Sequence, residues 1–193
     1  MTARGYELPV TLTVGGAVYD IRSDFRAVLD VLSAVSDPEL DDREKASVML
    51  KIIYPGWRDI PSEHIPDALD AACGFIDCGC RAVSDDGGAP RPRLFDWDGD
   101  AALIIAAVNG VAHTEVRALP YLHWWTFWGY FIEIGDSLFS TVLGIRHKRA
   151  RHKKLDAGES AFYRENRMLV DGRPRLSAED SAKMEEVLRW LDE

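Results

Sequence analysis

Cys73, Cys78 and Cys80, with His64 nearby, are residue types that can hold a metal. Thiolates and imidazoles bind zinc, but structural zinc sites usually pair their cysteines as C-x2-C knuckles. The spacing here is C-x4-C-x-C, so the cysteines read as structural and no zinc is expected. A second cluster, FDWDGD at 95–100, places Asp96, Asp98 and Asp100 at alternate positions, like the start of a calcium loop. Such a loop needs a Gly at its sixth position and a Glu at its twelfth. Gly99 comes early, and Ala107 stands where the Glu belongs. Asp98 acting as a helix N-cap accounts for the same letters.

Acid–base and nucleophilic chemistry finds no foothold. His64, His113, His123, His147 and His152 are scattered, and none falls in a catalytic spacing. The chain has no G-x-S-x-G, no H-E-x-x-H and no Gly-rich phosphate loop. The expectation is a protein that is not an enzyme and carries no cofactor.

Two stretches remain that can bind a partner. RHKRARHKK at 146–154 holds six Lys/Arg and no acid. Its cations Arg146, Lys148, Arg149, Arg151, Lys153 and Lys154 can draw in an acidic partner or nucleic acid, or solvate a helix end. Residues 1–145 carry 11 Lys/Arg against 22 Asp/Glu, a net charge of −11. That body repels nucleic acid and favours the protein-partner or solvated reading. The other stretch, YLHWWTFWGYF at 121–131, holds three Trp, two Tyr and two Phe. On a helix, Trp124, Phe127, Trp128 and Phe131 share one face at i, i+3, i+4, i+7, and Leu122, Trp125 and Ile132 cover another. A base-stacking platform would interleave Lys or Arg, and none occurs between Tyr121 and Gly144. A helix apolar nearly all round is a core helix, with part of one face serving a partner as the next reading, so Trp124, Trp125 and Trp128 are expected to be mostly buried.

These residues need elements to position them. With 193 residues, 47% of them apolar, the chain has enough material for a core without staples. That composition excludes disorder. The apolar-rich run at 122–134 is too short to span a bilayer and contains His123 and Glu133. No apolar run follows a basic start, so no signal peptide is expected. The protein reads as soluble and intracellular.

PVTLTVGGAVYDI near the N-terminus alternates apolar and polar residues around Gly15-Gly16, the pattern of a two-residue β-hairpin. Helical periodicity follows. One helix starts behind Ser23 as cap, and a second behind the Asp41/Glu44 capping box stops at Pro55-Gly56. A third covers about 66–77, and 80–93 is a Gly/Pro/Asp-rich loop. A fourth runs from near Asp98 to Asn109-Gly110. The aromatic stretch is the fifth, with Pro120 near its first turn and Gly135 after it, and a sixth begins at Asp136 and runs into the basic segment. A seventh covers 159–170, and a separate helix begins at Ser177. The fold class is mainly α, a helical domain of about six to seven helices with a short N-terminal β-hairpin. Residues 1–155 form the core domain and 156–193 a helical C-terminal extension.

The order of these features resembles a known family. V-GG-xx-Y-x-I-x-SDFR (14–26), IIYPG with a following IP (52–61), F-x-x-CG (75–79), FDWD-x-D-x-x-x-I-x-AA (95–107), LHWWTFWGYF (122–131) and a basic R-H-K (145–148) occur in its order. The chain is similar, over about 10–163, to the small bacteriophage proteins called gene product fifteen, from long-tailed phages of Gram-positive bacteria. The resemblance implies a role in tail morphogenesis, in the host cytoplasm, as a tail assembly chaperone. Such a protein coats the tape measure protein and recruits tail tube protein, with self-association as a further contact. It implies no catalytic residue. The other readings are a nucleic-acid-binding accessory protein working through 146–154, and a structural component of the virion.

Overall fold

The computed structural model describes residues 7–79 and 94–172. The expected loop at 80–93 and the helix from Ser177 lie outside them. The described residues form one β-hairpin and eight α-helices.

β1 (Thr11–Val14) and β2 (Ala17–Asp20) pair antiparallel, with Val14 opposite Ala17 and Leu12 opposite Tyr19. Gly15 and Gly16 both take positive φ, at 56° and 86°, which a two-residue turn of matching twist requires. The His64 ring packs against this turn, and a Cβ on Gly15 would come within 2.5 Å of it. A two-stranded hairpin is marginal by itself. This one gains its stability from Val14, which is buried with the helical core.

α1 (Phe25–Val35) is capped by Asp24, not Ser23: the Asp24 carboxylate accepts from the Arg26 backbone N–H. Ser23 is buried and hydrogen-bonds the Tyr121 hydroxyl at 2.8 Å. α2 (Asp42–Ile53) starts behind the Asp41/Glu44 capping box and ends at Tyr54. The buried Tyr54 hydroxyl donates to the Ala68 carbonyl of α3 (Ile65–Ile76) at 2.8 Å. Burial pushes that phenol above its ordinary pKa, and charge at Cys73 adds to the shift.

α4 (Ala101–Ala112) starts later and runs further than its sequence suggests, and its N-cap is Asp100 rather than Asp98. Asn109-Gly110 does not stop it, because Asn109 turns its side chain outward to accept from the Val116 backbone and donate to Glu115. The stop is His113, in the left-handed region at φ 53°. Glu115 also accepts from the Arg117 side chain and backbone, which holds its carboxyl at about 2.

α5 (Trp124–Ile132) is shorter than expected, since His123, not a residue near Pro120, is its N-cap. α6 (Leu138–Ala150) begins behind a Ser137/Ser140 capping box. The expected helix at 159–170 is two, α7 (Ala157–Glu165) and α8 (Arg167–Asp171), broken at Asn166, whose side-chain amide donates back to the Phe162 carbonyl.

The main core joins the hairpin to α1–α5 and the start of α6. Its centre is aromatic. Phe25 stacks on Phe127 at 4.5 Å, Phe127 stacks on Trp124, and Trp124 meets Trp97 edge-on. Trp97 and Phe95 then close on Phe131. Trp124 is 1% exposed, and Phe127 and Leu122 are buried. Trp125, Trp128 and Phe131 are mostly covered but keep part of their surface in solvent, so all three tryptophans are mostly buried, as expected, and Trp124 alone is fully so. A helix of nine residues has too little length to be covered on every side. A second cluster, Val142, Ile145 and Val170, ties α6 to α8, with Phe162 of α7 packed on it.

Truncating Trp124 to Ala should cost about 3–5 kcal/mol of unfolding free energy in urea melts. Trp128→Ala should cost clearly less. Equal losses would contradict an aromatic spine centred on Trp124.

Candidate partner-binding site

The basic segment does not act as one surface. Arg146 turns inward and pairs with Asp100, the two side chains being 14% and 6% exposed. Nη1 donates to Asp100 Oδ2 at 2.6 Å and to the Leu94 carbonyl at 3.0 Å. Nη2 donates to Asp100 Oδ1 at 2.9 Å and to the Leu169 carbonyl at 3.0 Å. Nε donates to the Val170 carbonyl at 2.6 Å. A guanidinium has five N–H donors, and all five are used.

Lys148 pairs with Glu159 of α7. Arg149 pairs with Asp171 and lies over the Tyr163 ring at 4.3 Å. Asp171 also accepts from the Tyr163 hydroxyl and from Arg167. Burial raises the Asp171 carboxyl, but its hydrogen bonds from Arg149, Arg167 and Tyr163 outweigh that and hold it below the usual range. The stabilisation from a depressed carboxylate is present above its unfolded pKa and is lost only as pH falls through the folded value. This link between α6 and α8 therefore persists through mildly acid pH.

Arg151, Lys153 and Lys154 remain. All three are exposed and take part in no ion pair among the described residues. They follow the end of α6, where His152 takes positive φ and the Lys153 backbone N–H donates to the Lys148 carbonyl. Of the six cations singled out by sequence, three hold α7, α8 and the 95–100 loop in place, and three face solvent at one tip.

The acidic trio is likewise used up by the fold. Asp96 accepts from the Asp98 backbone, Asp98 accepts from the Ser33 hydroxyl at 2.6 Å, and Asp100 takes Arg146. Cys73 and Cys78 lie at the end of α3, and Cys80 lies outside the described residues.

A partly exposed surface lies on α5, on the side that the periodicity gives to Trp125 and Ile132. Trp125, Trp128, Gly129 and Ile132 share a face at i, i+3, i+4, i+7. Trp125 and Trp128 are partly exposed, and Ile132 is 61% exposed. A Cβ on Gly129 would meet nothing within 4 Å among the described residues, so the face carries a notch between apolar side chains. Tyr121, just before the helix, and Leu138, just after it, are also exposed.

The inner side of α5 is fixed. The Trp124 and Trp125 indole N–H groups donate to the Ile76 and Phe75 carbonyls at 2.8 Å each, satisfying the end of α3. His123 Nδ1 accepts from the Trp125 backbone, so its Nε2–H donates to the Pro9 carbonyl at 2.9 Å. Asp24 and His123 form an antiparallel bridge: Phe25 N–H donates to the Leu122 carbonyl and Trp124 N–H to the Ser23 carbonyl. No helix among the described residues is long and apolar enough to cross a membrane.

Replacing Arg146 by Met should strand the Asp100 carboxylate and cost about 3–5 kcal/mol in urea melts, while adding Asp100→Asn should recover part of that loss. Arg151→Ala should stay within about 0.5 kcal/mol of the parent. A mild Arg146→Met variant would contradict the structural role given to this residue.

A family model described as Bacteriophage Gp15 protein matches residues 6–171. No curated protein and no solved structure matches the chain. The matched residues include the hairpin, all eight described helices, the Asp100–Arg146 pair and the α5 face. With most of its length matched, the chain belongs to the bacteriophage Gp15 protein family, and that membership implies a role in phage morphogenesis or particle structure.

Proposed function

We propose that this protein is a non-enzymatic tail assembly chaperone that holds the tape measure protein during tail morphogenesis in the host cell. The observation that carries the reading is the outward face of α5. Trp125, Trp128 and Ile132 around the Gly129 notch suit a helix-in-groove contact. A long helical client offers apolar side chains at i, i+3, i+4 and i+7, and one of them fits the space over Gly129. Partly exposed tryptophans supply large contact area with little rotamer entropy to lose.

Charge supports the same reading. The described body is acidic, which keeps free copies apart and disfavours DNA. Arg151, Lys153 and Lys154 at the tip of α6 offer attraction to acids on the client. Because Arg146, Lys148 and Arg149 are committed internally, this electrostatic contribution rests on the three exposed cations alone.

Two variants test the reading by co-expression with the tape measure protein and pull-down of the pair. Gly129→Gln fills the notch and improves helix propensity, so stability should hold or rise by up to about 1 kcal/mol while client binding falls. Reversing Arg151, Lys153 and Lys154 to Glu should slow association at low salt and have little effect near 1 M salt, where the Debye length is about 3 Å. A tape measure protein equally soluble with and without this chain would sink the chaperone assignment. Recovery of this chain from purified particles would support the structural-component reading instead.

A further inference from the structure

A cleft of about 660 Å³ opens between the first turn of α4 and α8, with Ala101, Ala102, Leu103, Met168 and Leu169 on its apolar side and Asp98, Gly99 and the Arg146-paired Asp100 at its other edge. Met168 is 81% exposed, the most of any exposed large hydrophobic side chain among the described residues. Gly172, the last described residue, also lines the cleft. The chain continues for 21 residues beyond it, outside the described structure.

That continuation has the composition to cover the cleft. Gly172 and Ser177 are five Cα steps apart, at most about 18 Å, so the segment from Ser177 is tethered within reach of the cleft. In 177–193, Met184, Val187, Leu188 and Leu191 recur at i, i+3, i+4, i+7, the spacing of one apolar helical face. The same stretch holds six Asp/Glu against two Lys/Arg. Gly172 adjoins Arg149 in the neighbouring hollow, and Arg151, Lys153 and Lys154 follow at the tip of α6. A net negative segment tethered there is drawn to those cations.

We infer that residues 177–193 dock on their own chain. The four apolar positions cover Met168, Ala101 and Ala102, and the acids turn toward the end of α6. This occupant is favoured over a second copy because four connecting residues give it a high effective concentration at the cleft. The docked segment would compete with an acidic client for the tip cations, so the partner would meet a surface whose charge the chain itself has partly neutralised. The docking itself does not rest on the chaperone reading.

Hydrogen exchange read by mass spectrometry on the full-length chain tests this, with Met168→Asp and Ala102→Asp as variants. Met168 and Ala102 are both exposed, and an acid in the first turn of α4 suits the helix dipole, so both variants should fold. Amides of 180–191 should exchange at least about tenfold more slowly in the parent than in a free peptide of that sequence. Both variants should return them toward the peptide rate and leave α6 amides unchanged. Peptide-like exchange in the parent, or protection untouched by either variant, would overturn the inference. Protection that grows with protein concentration would also overturn it, since the occupant would then be a second copy.

Discussion

Arg146 places a permanent charge among apolar side chains, and the α4–α6–α8 side of the molecule is arranged to satisfy it. A guanidinium cannot shed its proton in a protein, so every N–H has to find an acceptor. Two go to the Asp100 carboxylate and three to the carbonyls of Leu94, Leu169 and Val170. Those carbonyls belong to two separate pieces of chain, the entry to the 95–100 loop and the end of α8. One side chain on α6 therefore fixes where α4 starts, how the acidic loop folds and where α8 lies. It also explains why Asp100 caps α4 by position without its side chain bonding the helix: the carboxylate is committed to Arg146. A pair this buried gains little net stability over an apolar replacement, but breaking one half is costly. Its role is to specify the arrangement.

A second polar node does the same for the other side of the core. Asp24 caps α1, accepts from the Leu122 backbone and pairs with Arg26. Arg26 then donates to the carbonyls of Arg117 and Leu119. His123 caps α5 and reaches Pro9 ahead of the hairpin. SDFR and LHWW are thus two halves of one clasp, joined by reciprocal backbone bonds. The two tryptophans extend it by saturating the last carbonyls of α3. The motifs that stand out in the sequence are neighbours in space, and their polar atoms satisfy one another.

The elements were legible because each is signalled locally. Gly15-Gly16 marks the turn, the Asp41/Glu44 box marks α2, and apolar spacing marks α1 and α3. Helix ends were less legible, because a cap is decided by what else competes for the side chain. Ser23 and Asp98 look like caps in one dimension, but Tyr121 and Ser33 claim their side chains in three. Asn109-Gly110 looks like a stop until Asn109 is seen to serve Glu115 and Val116. The site was least legible. Nothing in a single sequence pairs Asp100 with a residue 46 positions away, so Arg146 looked like its basic neighbours. The aromatic stretch concealed its exposed face for a related reason: apolar residues all round a helix signal burial, but a nine-residue helix resting on α1, α3 and α4 has one side left over.

The division of polar groups between inside and outside links the fold to the proposed function. Cations that the sequence offers as a binding surface are largely consumed in holding α7 and α8, and the acidic trio is consumed in holding its own loop. What these two stretches leave to solvent is therefore selective: three cations at one tip, and an apolar face on α5 with a glycine notch. A contact surface of this kind has to be rigid, since a docking face that rearranges loses its binding energy to ordering. The rigidity comes from the inner side of the same helix, where Trp124 lies in the aromatic spine, Trp125 is hydrogen-bonded to α3, and His123 clamps the first turn. The outer half of Trp125 and the notch at Gly129 are held in register by contacts one residue away in sequence. The helix that buries Trp124 and Phe127 at the centre of the core is thus also able to present an unpaired apolar face without collapsing it.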